Sequence, residues 1–66
     1  MTEREERFER MLNFVLKSYA ETSAKMEALK AEGKTKTATF RQLMGEKLMY
    51  GNMLSIYKAH GLIDRY

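Results

Sequence analysis

The chain has 66 residues, with 12 Lys and Arg, 9 Asp and Glu, and a formal net charge of +3. A chain of this length forms one domain at most, and such a small domain is only marginally stable alone. With no cysteine and a single histidine, it lacks the residues for disulfides, thiolate zinc sites and most histidine-based sites. We therefore expect no metal, no cofactor, no catalytic centre and no enzyme.

The composition favours helices. The chain contains no proline and four glycines, and it is rich in Glu, Lys, Leu, Met and Ala. No apolar run approaches the ~18 residues of a membrane span. The charged start, MTEREERFER, lacks the apolar core of a signal peptide. We expect a soluble, cytoplasmic, all-α protein that does not enter a membrane.

A first helix is predicted over residues 3–32. Thr2 and Glu5 form a capping box at its start, and Gly33 follows as the left-handed residue that ends it. Its apolar residues alternate spacings of four and three, the pattern of a helix–helix seam, at Phe8, Leu12, Val15, Tyr19, Thr22, Met26 and Leu29. Met11, Phe14 and Leu16 widen the apolar surface of its first half.

A second helix is predicted over residues 39–60. Thr39 and Gln42 match a capping box, and Gly61 supplies a left-handed ending in which Leu62 closes back on Tyr57. The connector, residues 33–38, is short and basic, which favours two antiparallel helices. In the tail, residues 61–66, the apolar Leu62 and Ile63 are expected to dock on the helices.

The second helix is apolar on nearly every side. At about 100° per residue, one broad face carries Phe40, Leu43, Met44, Leu48, Tyr50, Leu54 and Tyr57. Met49, Met53 and Ile56 fall on the opposite side, while Lys47 and Lys58 project near the middle of the broad face. A helix of this kind is either packed on two sides or forms a methionine-rich groove for changing partners. A single partner helix cannot cover it.

These patterns predict one domain over residues 1–66, an antiparallel two-helix hairpin. Dimerisation of two hairpins would complete a four-helix bundle and cover both sides of the second helix. The corresponding function is a small non-enzymatic interaction or assembly module that associates with itself or with another protein. The residues predicted to carry self-association are Leu48, Met49, Met53, Ile56 and Tyr57.

The connector supports an alternative function. Residues 34–66 carry six Lys and Arg against two Asp and Glu, so this half is mildly basic. Four cations lie beside the predicted start of the second helix, where free amides favour anions: Lys30, Lys34, Lys36 and Arg41. The cluster is interpreted either as a solvated turn or as a contact for phosphate or nucleic acid.

Thr39, Gln42, Leu43 and residues 61–63 (Gly-Leu-Ile) resemble the helix-turn-helix region of winged-helix regulators. In that family a T-x-x-[EQ]-L helix start is followed by a recognition helix that ends in G-L-I. The resemblance covers about 25 residues, and the interval to Gly61 is shorter than in the family. It implies a turn near residues 50–52 and a regulatory protein that binds nucleic acid, although no array of base-reading Arg or Asn is evident.

Overall fold

Two α-helices form all of the regular structure within residues 2–65. The computed structural model describes residues 2–65, with α1 at Glu3–Ala31 and α2 at Ala38–Ala59. Met1 and Tyr66, the ends of the predicted domain and tail, lie outside the described residues. Within residues 2–65 the chain forms no strand, and the prediction of an all-α helical hairpin is confirmed.

Ring contacts show how the two helices run. Phe8 packs edge-on against Tyr57 at 5.8 Å between ring centroids, and Phe14 packs against Tyr50 at 6.5 Å. Residue numbers therefore rise along α1 as they fall along α2, so the helices are antiparallel. The hairpin is elongated, with principal extents of 46 × 20 × 16 Å.

The start of α1 follows the predicted capping residues. The Glu5 amide donates to Thr2 Oγ1 at 3.2 Å, and the Thr2 hydroxyl donates to Glu5 Oε1 at 3.1 Å. Three glutamates in the first turn complement the positive end of the helix dipole. These local interactions fix the first residue of a helix whose opposite end is set by a glycine.

Both helices end in the same hydrogen-bonding motif. Gly33 and Gly61 have φ of 73° and 76°, a conformation that costs other residues free energy. After Gly61, the Leu62 amide donates to the Tyr57 carbonyl at 2.9 Å, and after Gly33 the next amide donates to Leu29 at 2.8 Å. These are the Schellman endings that the two glycines predict.

The predicted N-cap of α2 is wrong by two residues, and the helix begins at Ala38, one residue before the predicted start. Thr37, not Thr39, is the N-cap, and its Oγ1 accepts from the Phe40 amide at 3.1 Å. The Thr37 hydroxyl also donates to the Lys34 carbonyl at 3.3 Å, which ties the cap to the connector. Thr39 has the same chemistry but lies inside the first turn, so the capping box with Gln42 does not form. The end moves by one residue at each helix, to Ala31 and Ala59.

The buried seam lies on the face of α1 that the spacing of its apolar residues predicts. All seven predicted seam residues of α1 are buried or half-buried. The most buried cluster joins Leu12 and Val15 of α1 to Leu54 of α2, and Ile63 of the tail packs against it as expected. This cluster holds the hairpin closed.

The face of α2 that packs on α1 differs in part from the predicted one. Met44 and Leu48 are exposed, and Lys47 takes the seam position between Leu43 and Leu54. The Lys47 ammonium lies 5.8 Å from the Tyr19 ring centroid, which keeps the cation favourably placed beside an apolar seam. The other five residues predicted on the broad face are buried or half-buried, and Met44 and Leu48 were misplaced because nearly every side of α2 is apolar.

A glycine in α2 allows Tyr19 to approach. A Cβ added at Gly51 would lie 3.3 Å from Tyr19 Cε1, whereas one added at Gly45 would meet nothing within 4 Å. The helix is continuous through Gly51. The turn near residues 50–52 that the winged-helix resemblance implies is therefore not present.

We expect Thr37→Ala to destabilise the protein by about 1 kcal/mol, because it removes the acceptor for the Phe40 amide. Thr39→Ala is the matched control and should change the free energy of unfolding by less than about 0.5 kcal/mol. Urea denaturation followed by far-ultraviolet circular dichroism measures both. A larger loss of unfolding free energy from Thr39→Ala than from Thr37→Ala would show that Thr39 is the N-cap.

We expect Gly45→Ala to stabilise the protein by about 0.5–1 kcal/mol, the gain in helix propensity at an open site. Gly51→Ala should gain clearly less, because its methyl group must displace the Tyr19 ring. Thermal and urea denaturation of the pair give the difference. Equal stabilisation by both variants would show that the approach of Tyr19 to Gly51 does not constrain the hairpin.

Candidate interaction surface

A compact apolar surface spans both helices on one flank of the hairpin. On α2, Met49, Met53 and Ile56 lie within about 60° of one another around the helix and within roughly 10 Å along it. Ile56 is 56% exposed and Met49 is 50% exposed. Met53 is half-buried and packs at the edge of the Leu12–Val15–Leu54 cluster.

Helix α1 extends this surface. Phe14 is 62% exposed although its ring contacts Tyr50, and Met11 lies about 60° away on the same side of α1. Because Tyr50 neighbours Met53 around α2, the contact places Phe14 on the side of the hairpin where Met53 lies. We call this surface, which consists of Met11, Phe14, Met49, Met53 and Ile56, the apolar face.

The five residues predicted to carry self-association do not all lie together. Met49 and Ile56 belong to the apolar face and are open to a partner. Met53 was predicted on the side opposite the core, yet it is half-buried and contacts the core. Tyr57 packs on Phe8 inside the hairpin, and Leu48 is 63% exposed on the other side of the seam. Whether these residues mediate self-association stays a prediction.

Sequence reasoning missed the contribution of Met11 and Phe14 to this surface. Both were recognised as widening the apolar part of α1, but the seam was expected to satisfy that helix. The signal was their position: two large apolar residues three apart, both off the alternating seam. Residues at that spacing lie on one side of a helix and add a second apolar surface rather than a wider first one.

The opposite flank carries a shallow groove between the helices. Its volume is about 420 Å³, and it is lined by Tyr19, Met26, Met44, Lys47, Leu48, Gly51, Asn52 and Ser55. Leu48 lies about 100° around α2 from Met49, on the far side of the seam. We call this surface the lysine groove, because Lys47 is its charged residue.

The four cations around the connector are partly paired with carboxylates. Lys30 Nζ lies 3.5 Å from Glu27 Oε1, and Lys34 Nζ lies 3.3 Å from Glu32 Oε2, with all four side chains more than half exposed. Lys36 and Arg41 are also exposed. Exposed pairs of this kind contribute little to stability, but they reduce the local positive charge.

Residues 2–65 contain neither a metal-binding cluster of side chains nor a helix that could span a membrane. No group of three or more His, Cys, Asp or Glu in this part of the chain is arranged to hold a metal ion. Neither described helix combines the length and apolar character that crossing a membrane requires.

Comparison with protein-family models, with curated protein sequences and with solved structures gives no match. The likeness to winged-helix regulators therefore depends on the short motif alone, and the unbroken α2 lacks the turn that this motif needs.

Proposed function

We propose that the protein is a non-enzymatic assembly module. In this proposal two copies bury their apolar faces against each other and form a homodimeric four-helix bundle. The observation that carries the proposal is the exposure of Phe14, which packs on Tyr50 of α2, together with the exposure of Met49 and Ile56. A half-exposed surface of five large apolar side chains from two helices is typical of a protein–protein contact.

The size of the exposed surface supports a second copy as the occupant. The hairpin has an accessible surface of 5226 Å². A folded monomer of 7.8 kDa has about 4,400 Å² by the scaling of surface with mass. The excess, roughly 800 Å², equals what one partner buries in an interface of standard size.

The shape of the hairpin gives the same indication. Its radius of gyration is 14.2 Å, whereas a compact domain of this length has a radius of about 11 Å. A single layer of two helices has no interior apart from the seam between them. Packing two slabs face to face would create a second apolar layer and a bundle of the ordinary four-helix type.

Symmetry makes a homodimer an economical arrangement. In a two-fold pair the same face is used by both copies, so one apolar surface is enough. None of the five residues of the apolar face is charged, and the half-buried Glu46 borders the face about 20° from Met53 around α2. Methionine side chains on both helices can adapt to the partner surface.

Nucleic-acid binding through the connector is the alternative, and the structural observations favour it less. Two of its four cations already pair with Glu27 and Glu32. Lys36 and Arg41 remain as the cations that would contact phosphate. The continuous α2 also provides no helix-turn-helix geometry for reading a groove.

We expect Ile56→Asp to lower the solution mass from dimer to monomer, because the dimer would have to bury a carboxylate without a partner. Leu48→Asp is the matched control: it places the same charge on the same helix at a similarly exposed leucine that lines the lysine groove, about 80° around α2 from Ile56. Size exclusion with light scattering across a concentration series measures both masses. A monodisperse wild-type monomer at micromolar concentration would contradict the proposal, as would equal masses of the two variants.

Disulfide trapping keeps the test decisive if Ile56→Asp fails to fold. The chain contains no cysteine, so a single introduced thiol reports on one position. Phe14→Cys should form a covalent dimer under mild oxidation, because the two apolar faces meet in the proposed dimer. Glu9→Cys, at an exposed site about 140° around α1 from Phe14, is the control and should cross-link much less. Equal cross-linking at both sites would argue against this face.

We expect the double change Lys36→Glu and Arg41→Glu to leave the mass of the dimer unchanged, since neither residue belongs to the apolar face. Binding of a fluorescent 20-base-pair duplex, about two helical turns of DNA, should be weak for wild type and equally weak for the variant. Tight binding by wild type that falls with salt and is lost in the variant would support the alternative.

A further inference from the structure

We propose that the lysine groove is a docking site for one amphipathic helix of another protein, a helix with a carboxylate beside its apolar stripe. The groove lies on the flank away from the apolar face. This inference goes beyond self-association and does not depend on it, because a monomer and a dimer would both present the groove.

The dimensions of the groove fit a short helix. Its lining runs from Met44 to Ser55 on α2, about 16 Å, and from Tyr19 to Met26 on α1, about 10 Å. That length matches two to three turns of a third helix, which would present anchors at i, i+3 or i+4, and i+7. A small ligand would find the groove too open to be enclosed.

The surfaces of the groove are suited to apolar anchors. Gly51 has no side chain, so the space over it is limited by Tyr19 and by the exposed Met44 and Leu48. Methionine adjusts its shape to an incoming side chain at little cost. Asn52, an exposed residue at the edge, supplies amide groups for polar contacts at the rim.

The positive charge of Lys47 favours a partner helix that carries a carboxylate. It is half-buried, and within residues 2–65 no carboxylate lies within ion-pair distance of its ammonium; its recorded contact is the Tyr19 ring. A helix that covered the groove without a carboxylate would remove water from this cation and leave it unpaired. An Asp or Glu on that helix would form a charge-assisted hydrogen bond instead. The groove is therefore complementary to an acidic amphipathic helix.

A second copy of this chain is a poorer occupant of the groove. If two copies met groove to groove about a two-fold axis, their Lys47 cations would come together, and like charges across an interface are unfavourable. If the apolar face of one copy covered the groove of another, none of the five residues of that face could pair with Lys47, and only a residue at its border such as Glu46 could do so.

The test uses two fluorescein-labelled peptides of about 18 residues, capped at both ends so that the helix is not opposed by terminal charges. Both are Ala- and Gln-based, with leucines at i, i+3 and i+7. They differ only beside the central leucine, where one carries Glu and the other Lys. Fluorescence anisotropy measures the Kd of each peptide for the wild-type protein, for Lys47→Glu and for Lys36→Glu.

We expect saturable binding of the Glu peptide to wild type and at least about tenfold weaker binding of the Lys peptide. Lys47→Glu should reverse this preference. Lys36→Glu changes the net charge of the protein equally but lies in the connector, so it should preserve the wild-type preference. Amide chemical shifts should move at Gly51 and Asn52 when the Glu peptide binds.

Three outcomes would overturn the proposal: no saturable binding at the highest soluble concentration, equal preference in wild type and Lys47→Glu, or chemical shifts that move at Met49 and Ile56 instead. The same titration on Ile56→Asp separates this proposal from the dimer. Peptide binding by that variant would support the groove even if the apolar face does not mediate dimerisation.

Discussion

Leu54 of α2 packs against Leu12 and Val15 of α1, and the side chain of Leu54 is fully buried there. Two helices share one seam, so this contact is where water is excluded most completely. The aromatic pairs and the tail pack around it, and everything farther from the seam meets solvent. The hairpin geometry therefore limits how many of its apolar side chains the chain can bury by itself.

This limit explains why the candidate interaction surfaces lie on the flanks. A helix that is apolar on one side needs one partner helix to bury that side, and α1 is of this kind over most of its length. Helix α2 is apolar nearly all around, so any seam it makes leaves other apolar residues exposed on both sides. Ile56 and Leu48 are the clearest examples, since each is more than half exposed and they lie about 80° apart around α2.

The fold was predictable where the sequence offered one solution. In α1 the alternating spacing from Phe8 to Leu29 selects a single face, and that face is the buried one. Gly33 and Gly61 predict both helix ends, because glycine tolerates the left-handed conformation without strain. Each of these signals depends on local geometry that no tertiary contact overrides.

Where the sequence offered several equivalent solutions, prediction failed. Thr37 and Thr39 have identical capping chemistry, and the bond from Thr37 to the Lys34 carbonyl, which depends on the path of the connector, distinguishes them. In α2, periodicity could not decide whether Lys47 or Leu48 faces α1. The place of Phe14 on the candidate surface followed only from its contact with Tyr50, a residue 36 positions away in the chain.

The position of Lys47 also bears on polymerisation. A hairpin with an apolar surface on each of two sides could associate head to tail. Each added copy would then expose another apolar surface, and the assembly would grow into a filament. Lys47, at the seam edge of the lysine groove, would oppose such stacking, because covering the groove without a carboxylate would leave this half-buried cation unpaired. If copies of the chain associate through the apolar face, this lysine would therefore favour closed assemblies over filaments.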